Sequence, residues 1–216
     1  MQYTVCIRIF RMCQLLARLI CALFVEHSVY IYTAFLTLTP FSSKRTHTLI
    51  HVQAIVDVYG EEISPLAPEM VDHLILSFHH FASQSSSGGG GDDEAAFSAT
   101  QSLDTILAVI DAVEELPQVI SALETKLLPL IYTLLTESEN SFEYLEHGLS
   151  MLSYITYCNS ILSHNVWEIC GLLLYAFSTW AYDFMKDAST PIINYMTKDI
   201  KAFLAGTHHI YHIHTI

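Results

Sequence analysis

Residues 64–82 read SPLAPEMVDHLILSFHHFA, and they set a pattern that later stretches of the chain repeat. Ser64 is a favourable N-cap residue, and Pro65 suits the first position of a helix. Apolar side chains then recur at helical spacing, which predicts an amphipathic helix with one face to bury. The apolar positions are Leu66, Met70, Val71, Leu74, Ile75, Phe78 and Phe81.

Comparable helical stretches continue to Thr197 and group into pairs. Pro65, the Leu116–Pro117 step and Asn165 open three pairs at spacings of roughly 52 and 48 residues. Helix-pair repeats of the HEAT type recur about every 40–47 residues, and an insert lengthens the first spacing. We therefore predict an all-α fold: an α-α superhelix, a HEAT- or armadillo-like solenoid of antiparallel pairs in a right-handed stack.

Prolines mark several helix boundaries. The first pair is completed by a helix over 97–115, and Pro117 begins the next helix. Pro129 lies inside the apolar pattern of that helix, so we expect a kink or a split near Lys126. The sequence Ser189-Thr190-Pro191 predicts the start of a further helix that runs to Met196.

Two capping boxes predict the starts of two more helices. Asn140 with Glu143, and Asn165 with Glu168, have the three-residue spacing of this motif. They predict helices over 141–157 and 166–180.

The charge is divided unevenly along the 216 residues, of which 52% are hydrophobic and 14% charged. Residues 1–46 contain five of the nine basic residues and one of the 22 acids, so residues 47–216 contain four lysines and 21 acids, a net charge of −17. Such a body repels nucleic acid and membrane surfaces and attracts basic proteins. The alternative is that the acids only keep the solenoid soluble.

The insert, residues 83–94, reads SQSSSGGGGDDE. Its glycines and serines cannot bury enough surface to order the segment, so we expect a disordered acidic loop. No G-K-[ST] follows the glycines, which excludes a phosphate loop. The candidate contacts to a basic cargo protein are Asp92, Asp93 and Glu94, and the alternative is a solubilising insertion.

The two ends of the chain differ from its centre. We expect the solenoid to span residues 46–206, followed by a His-rich tail at 207–216. Residues 1–45 form an apolar N-terminal segment with three open interpretations: a buried or membrane-associated helix, a weak signal anchor, or sequence outside the fold. We favour the last, because the sign of the charge changes near Lys44.

Residues for catalysis or metal binding do not form a recognisable set. There is no G-x-S-x-G, H-E-x-x-H or Rossmann glycine pattern, so we predict that the chain is not an enzyme and needs no cofactor. No two of the five cysteines have C-x-x-C spacing, and we expect Cys158 and Cys170 to be reduced core thiols. We predict no metal site, and we interpret the four tail histidines as a nonspecific tract.

Four segments resemble the middle-to-late HEAT repeats of importin-beta-type nuclear transport receptors, in the branch with importins seven and eight. They are YGEEISPLAPEMVDHLILSF (59–78), SLDTILAVIDAVEE (102–115), FEYLEHGLSMLSYITYCNSILSHNVWEICGLLLYAF (142–177) and YDFMKDASTPIINYMTKDIKAFL (182–204). The resemblance covers about residues 47–205 and rests on the order of the helices and the position of the acidic loop. Residues 1–45 and the tail do not resemble that family.

The resemblance implies a fragment of a nuclear import receptor. Such receptors bind basic cargo such as ribosomal proteins and histones, cross nuclear pores through nucleoporins, and release cargo when Ran-GTP binds. It also implies a location in the nucleus, the cytoplasm and the nuclear pore. The alternatives are a generic helical-repeat scaffold, or a membrane-anchored helical protein with residues 1–41 as its anchor.

The break near Lys44 generates a first prediction. Deleting residues 1–45 should leave the melting temperature of residues 46–206 nearly unchanged, because these residues are not expected to pack as a repeat. Differential scanning calorimetry of the two chains measures the effect. A fall of many degrees would show that the segment is an integral part of the solenoid.

Overall fold

The computed structural model describes Val56 and residues 63–85, 92–136 and 141–205, and these residues contain helices and turns but no strand. This confirms the predicted all-α class. The elements, in chain order, are α1 (Ala67–Ser85), α2 (Asp92–Ala112), α3 (Pro117–Leu135), α4 (Ser141–Cys158), α5 (His164–Thr179), a 3₁₀ turn (Tyr182–Phe184) and α6 (Met185–Lys198). Residues 200–205 are again helical.

The six helices form three pairs in two layers. Helices α1, α3 and α5 are neighbours in one layer, which we call layer A, and α2, α4 and α6 are neighbours in the other, layer B. Within the pairs, α1 packs on α2 and α3 packs on α4, whereas α5 and α6 meet largely through the 3₁₀ turn between them. This arrangement is a helical-repeat solenoid, as the sequence predicts.

Side-chain contacts fix the register between the layer B helices. The His147 Nε2 atom lies 3.1 Å from Asp104 Oδ1, and the Tyr154 hydroxyl donates to Asp111 at 2.7 Å, and each pair is 43 residues apart. Two contacts with the same offset show that α2 and α4 run parallel.

The next interface repeats this arrangement with an offset of 41 residues. Asn194 Nδ2 donates to the Ser153 carbonyl at 3.1 Å, and Lys198 Nζ donates to the Tyr157 carbonyl at 2.9 Å. Offsets of 43 and 41 fall inside the HEAT range. In layer A the Lys126–Asp72 contact has an offset of 54, because the insert lies between α1 and α2.

The apolar stripes that the sequence predicts form one continuous core. Leu103 and Ile106 of α2, Leu123 of α3 and Leu149 of α4 are fully buried in it. Gly148 lies where α3 and α4 approach closely, since a Cβ atom at this position would be 3.2 Å from Leu134 Cβ. Phe78 of the first pair meets Tyr144 of the second edge to face, with ring centroids 5.1 Å apart. Neighbouring helix pairs therefore contribute side chains to the same core.

Two helix starts differ from the prediction. The structure places Ser64 in a turn, where the Leu66 amide donates to the Ile63 carbonyl at 2.8 Å, and α1 begins at Ala67. The N-cap of α5 is Ser163, whose hydroxyl accepts from the Val166 amide, so Asn165 is not the cap. In contrast, α3 begins at Pro117 and α4 at Ser141, as predicted.

The internal prolines do not interrupt their helices. Helix α3 continues through Pro129, so the split near Lys126, one of the two effects predicted for this proline, does not occur. Helix α6 begins at Met185 and continues through Pro191, so Ser189 does not start a helix. Proline removes one backbone hydrogen bond from a helix, at a cost of about 3 kcal/mol, and packing against neighbours can offset it. Pro191 is itself buried.

The predicted loop is shorter than residues 83–94. Helix α1 extends to Ser85, where the hydroxyls of Ser83 and Ser85 donate to the carbonyls of His80 and Ala82, and α2 already begins at Asp92. Both ends of the predicted loop are therefore helical. Residues 86–91, residues 1–45 and the tail at 207–216 lie outside the described residues, as do residues 46–62 except Val56.

Truncating a core leucine should destabilise the stack. Leu123 and Leu149 are both 0% exposed, so Leu123→Ala and Leu149→Ala should each lower the free energy of unfolding by about 2–5 kcal/mol. Leu76 is 64% exposed, and Leu76→Ala should change the free energy of unfolding by about 0.5 kcal/mol or less. Urea denaturation measures all three. Equal losses for the buried and exposed leucines would contradict this core.

Candidate functional site

The three acids singled out by the sequence lie in the first turn of α2. Helix α2 begins at Asp92, and the side chains of Asp93 and Glu94 are exposed. Negative charge is stabilised at this end of a helix by the helix dipole. The sequence predicts that these three acids lie in a disordered loop, and the structure instead places them in a helix.

This first turn extends beyond the neighbouring helix. The 43-residue register places Ser98 level with Ser141, the first residue of α4. Residues 92–97 therefore extend past the end of α4 by about 9 Å, at about 1.5 Å per residue. Asp93 and Glu94 stand out from the edge of layer B.

Helix α4 contributes Glu143 to the same edge. Glu143 is exposed and lies four residues before His147, which contacts Asp104 on α2, so Glu143 is on the side of α4 that faces α2. Burial raises the pKa of the Tyr144 hydroxyl, and the negative charge of Glu143 raises this pKa further. We call Asp93, Glu94 and Glu143 the acidic edge.

Cations do not neutralise the acidic edge within the described part of the chain. The ion pairs there join Lys126 to Asp72, His147 to Asp104, and His164 to Glu168. Lys198 donates instead to the carbonyls of Tyr157 and Asn159, at 2.9 and 2.7 Å. Two of the four lysines in residues 47–216, Lys126 and Lys198, are therefore bonded to other residues of the fold.

A buried carboxylate, which sequence reasoning missed, supports the connection between α4 and α5. Glu124 of α3 is 9% exposed, and its two oxygens accept from Asn159 Nδ2 at 2.9 Å and Ser163 Oγ at 2.5 Å. Ser163 also caps α5. The signal in the sequence is an acid next to Leu123 on the buried stripe of an apolar helix.

The two cysteines in the described part of the chain, Cys158 and Cys170, both have a thiol pKa above the ordinary value. Cys170 is buried, as predicted, and burial raises its pKa to about 12. Cys158 is half-buried, and its pKa is raised chiefly by burial. Within residues 63–85, 92–136 and 141–205, no three His, Cys, Asp or Glu side chains form a group that could hold a metal ion.

Helix α3 is long and apolar enough to cross a membrane, judged by length and composition alone, among the helices described here. It is also the helix that contacts α1, α4 and α5. Its two charged residues, Glu124 and Lys126, both have partners on other elements of the fold. We therefore interpret its hydropathy as that of a core helix.

Helix pairs packed in two layers define the class of fold: a helical-repeat solenoid of the HEAT type. Comparison with known proteins shows what this solenoid is similar to. The chain is 29% identical over 153 residues to the importin beta-like SAD2 homolog of Arabidopsis thaliana, 25% identical over 162 residues to the probable importin-7 homolog of Dictyostelium discoideum, and 28% identical over 160 residues to importin-8 of Mus musculus.

These matches cover 71%, 75% and 74% of this chain and 15% of each relative. They confirm the resemblance to importin-beta-type nuclear transport receptors. The chain spans about 15% of the length of the curated relatives it matches. No family model matches the chain. No solved structure matches it either.

The Glu124 hydrogen bonds generate a stability prediction. Glu124→Ala removes the acceptor for the Asn159 amide and the Ser163 hydroxyl, so it should lower the free energy of unfolding by about 1–3 kcal/mol. Glu168→Ala is the control, because that side chain is exposed and pairs only with His164 on its own helix. Guanidinium denaturation measures both. Equal stability of the two variants would show that the buried carboxylate contributes nothing net.

Proposed function

We propose that this segment captures basic protein cargo for a nuclear import receptor, and that the acidic edge makes the first contacts. The observation that supports the proposal is the set of exposed carboxylates at one edge of layer B, Asp93, Glu94 and Glu143, without a cation partner among the described residues. A Lys/Arg-rich segment supplies the missing positive charge.

These carboxylates are attached to a helix, and they act on a basic partner by electrostatic attraction at a distance. An exposed ion pair contributes at most about 1 kcal/mol, so the acidic edge alone does not give tight binding. Complementary charge acts mainly on the rate of encounter and is screened by salt, with a Debye length of about 8 Å at physiological ionic strength. The first turn of α2 extends beyond α4, so its carboxylates meet an approaching cargo protein early.

The cargo class follows from the charge and from the relatives. Residues 47–216 have a net charge of −17, which favours basic proteins such as ribosomal proteins and histones and repels nucleic acid and anionic membrane surfaces. The relatives are importins by name. In the whole receptor we propose release of cargo by Ran-GTP, passage through the pore by contact with nucleoporins, and a location in the nucleus and cytoplasm.

Neutralising the first turn of α2 should slow cargo capture. The variant Asp92→Asn, Asp93→Asn, Glu94→Gln should bind a core histone with an association rate about three- to tenfold lower at low salt, because the carboxylates steer the encounter. The dissociation rate should change less. Stopped-flow measurements at two salt concentrations give the rates and the salt dependence.

The matched control removes three charges elsewhere. Glu69→Gln, Glu115→Gln and Glu168→Gln lie on α1, on the α2–α3 connection and on α5, away from the first turn of α2. If this triple variant slows association as much as the first one, only the net charge matters and the acidic edge has no special role. If the unmodified chain binds neither histones nor ribosomal proteins, the generic scaffold replaces the proposed function.

Ran-dependent release needs the whole receptor. Adding Ran-GTP to a complex of the full-length gene product with a histone should release the histone, whereas Ran-GDP should not. Retention of the histone with both nucleotides would remove nuclear import from the proposal while leaving the binding of basic proteins in place.

A further inference from the structure

The short connection between α4 and α5, residues 159–163, is held by a carboxylate of α3 and by an ammonium group of α6. Glu124 Oε2 accepts a hydrogen bond from Asn159 Nδ2 at 2.9 Å. Lys198 Nζ donates to the Asn159 carbonyl at 2.7 Å and to the Tyr157 carbonyl at 2.9 Å. Asn159 is 9% exposed. One nearly buried residue therefore contacts an anion with its side chain and a cation with its backbone.

Lys198 also supplies the positive charge that the end of α4 lacks. The last carbonyl groups of a helix have no partner within that helix, and a positive charge is favourable beside them. The last turn of α4 contains no basic residue. Because the ammonium group of Lys198 donates to two carbonyls at this end, a helix of the second pair depends on a side chain of the third pair.

The charges of Glu124 and Lys198 act on Asn159 without forming a direct ion pair. Neither group is in an ion pair with any residue of the described segments. Both bind the same nearly buried residue, where electrostatic interactions are stronger than in water, so each charge polarises the residue that the other one contacts. Loss of either charge should therefore weaken the contact made by the other.

The two helices of the third pair are joined close to this connection. They have little direct contact apart from the 3₁₀ turn. Tyr195 of α6 is 0% exposed and donates to the Val166 carbonyl in the first turn of α5 at 2.6 Å. Its ring centroid also lies 5.2 Å from that of Trp167. The residues that join α5 to α6 are therefore next to those that join both helices to the second pair.

The third pair is the least supported of the three in the described part of the chain. It has one neighbouring pair there, and so does the first pair, but α1 and α2 pack closely on each other whereas α5 and α6 do not. In a stack of repeats, stability is approximately the sum of the repeats and of the interfaces between neighbours. Proteins also open locally in contiguous units of lower stability. The third pair is therefore the unit expected to open first.

We propose that Glu124, Asn159 and Lys198 form a latch that holds the third helix pair on the second. When the latch is broken, α5 and α6 open together while the first two pairs stay folded. The bonds of the latch come from α3 and α6 and meet in the α4–α5 connection, so their loss frees the start of α5 and the end of α6 at once. The inference concerns motion within the chain and does not rest on the proposed function.

Hydrogen exchange of the full chain, followed by mass spectrometry, tests the latch. Lys198→Met keeps a long side chain but removes the ammonium group, so the amides of α5 and α6 should exchange about tenfold faster, which corresponds to about 1.4 kcal/mol. The amides of α1 and α2 should change less than about twofold. The matched control is Lys186→Met, the same change at an exposed lysine of α6, and it should change exchange less than about twofold in every helix.

A double variant tests whether the two charges act through one residue. Glu124→Gln with Lys198→Met should accelerate exchange in α5 and α6 about as much as either change alone, whereas independent contacts would multiply to about a hundredfold and refute the coupling. Unchanged exchange, faster exchange in α6 without α5, or equal acceleration in all six helices also refutes the latch. If Lys198→Met fails to fold, Asn159→Ala, which removes only the Glu124 contact, should give the same pattern and is judged by the same outcomes.

Discussion

The buried carboxylate of Glu124 holds the connection on which the third helix pair depends. One oxygen accepts from Asn159 and the other from Ser163, so a single side chain of α3 fixes the position of the α4–α5 turn. Lys198 of α6 donates to the Asn159 carbonyl in the same turn. A buried charge without such partners is costly, and here the carboxylate has donors on both oxygens. Helix α3 of the second pair and helix α6 of the third pair therefore both contact the α4–α5 turn.

The register of layer B places the charges that the proposed function uses. The contacts at Asp104 and Asp111 set α2 against α4, and the contact at Asn194 sets α6 against α4. Because α2 starts earlier in that register, its first turn projects from the edge of the layer. The same packing that buries the apolar stripes thus places these carboxylates at the edge of layer B.

Hydrophobic periodicity was sufficient to predict the fold but not the site. The stripe of α3, with Leu123 and Leu127 among its members, is buried as predicted, because an amphipathic face is a strong signal over many residues. The start of α5 was misassigned because a capping box at Asn165 competed with Ser163, and the serine had a tertiary partner in Glu124. The local sequence predicts a helix boundary near Pro191, because the burial of this proline in the folded chain does not show in the local sequence. Asp92, Asp93 and Glu94 were recognised as acids, but whether they belonged to the loop or the helix depended on where α2 begins.

The bonds that keep the register also decide which motions the stack resists. Sliding α4 along α2 by one turn displaces it by about 5.4 Å and breaks the contacts of both His147 and Tyr154 at once. A small tilt between the same helices changes each contact by only a fraction of that distance, because the contacts lie within the interface. The two contacts together therefore oppose sliding of α4 along α2. A change in the curvature of the stack that keeps both contacts is one that tilts the two helices without sliding them.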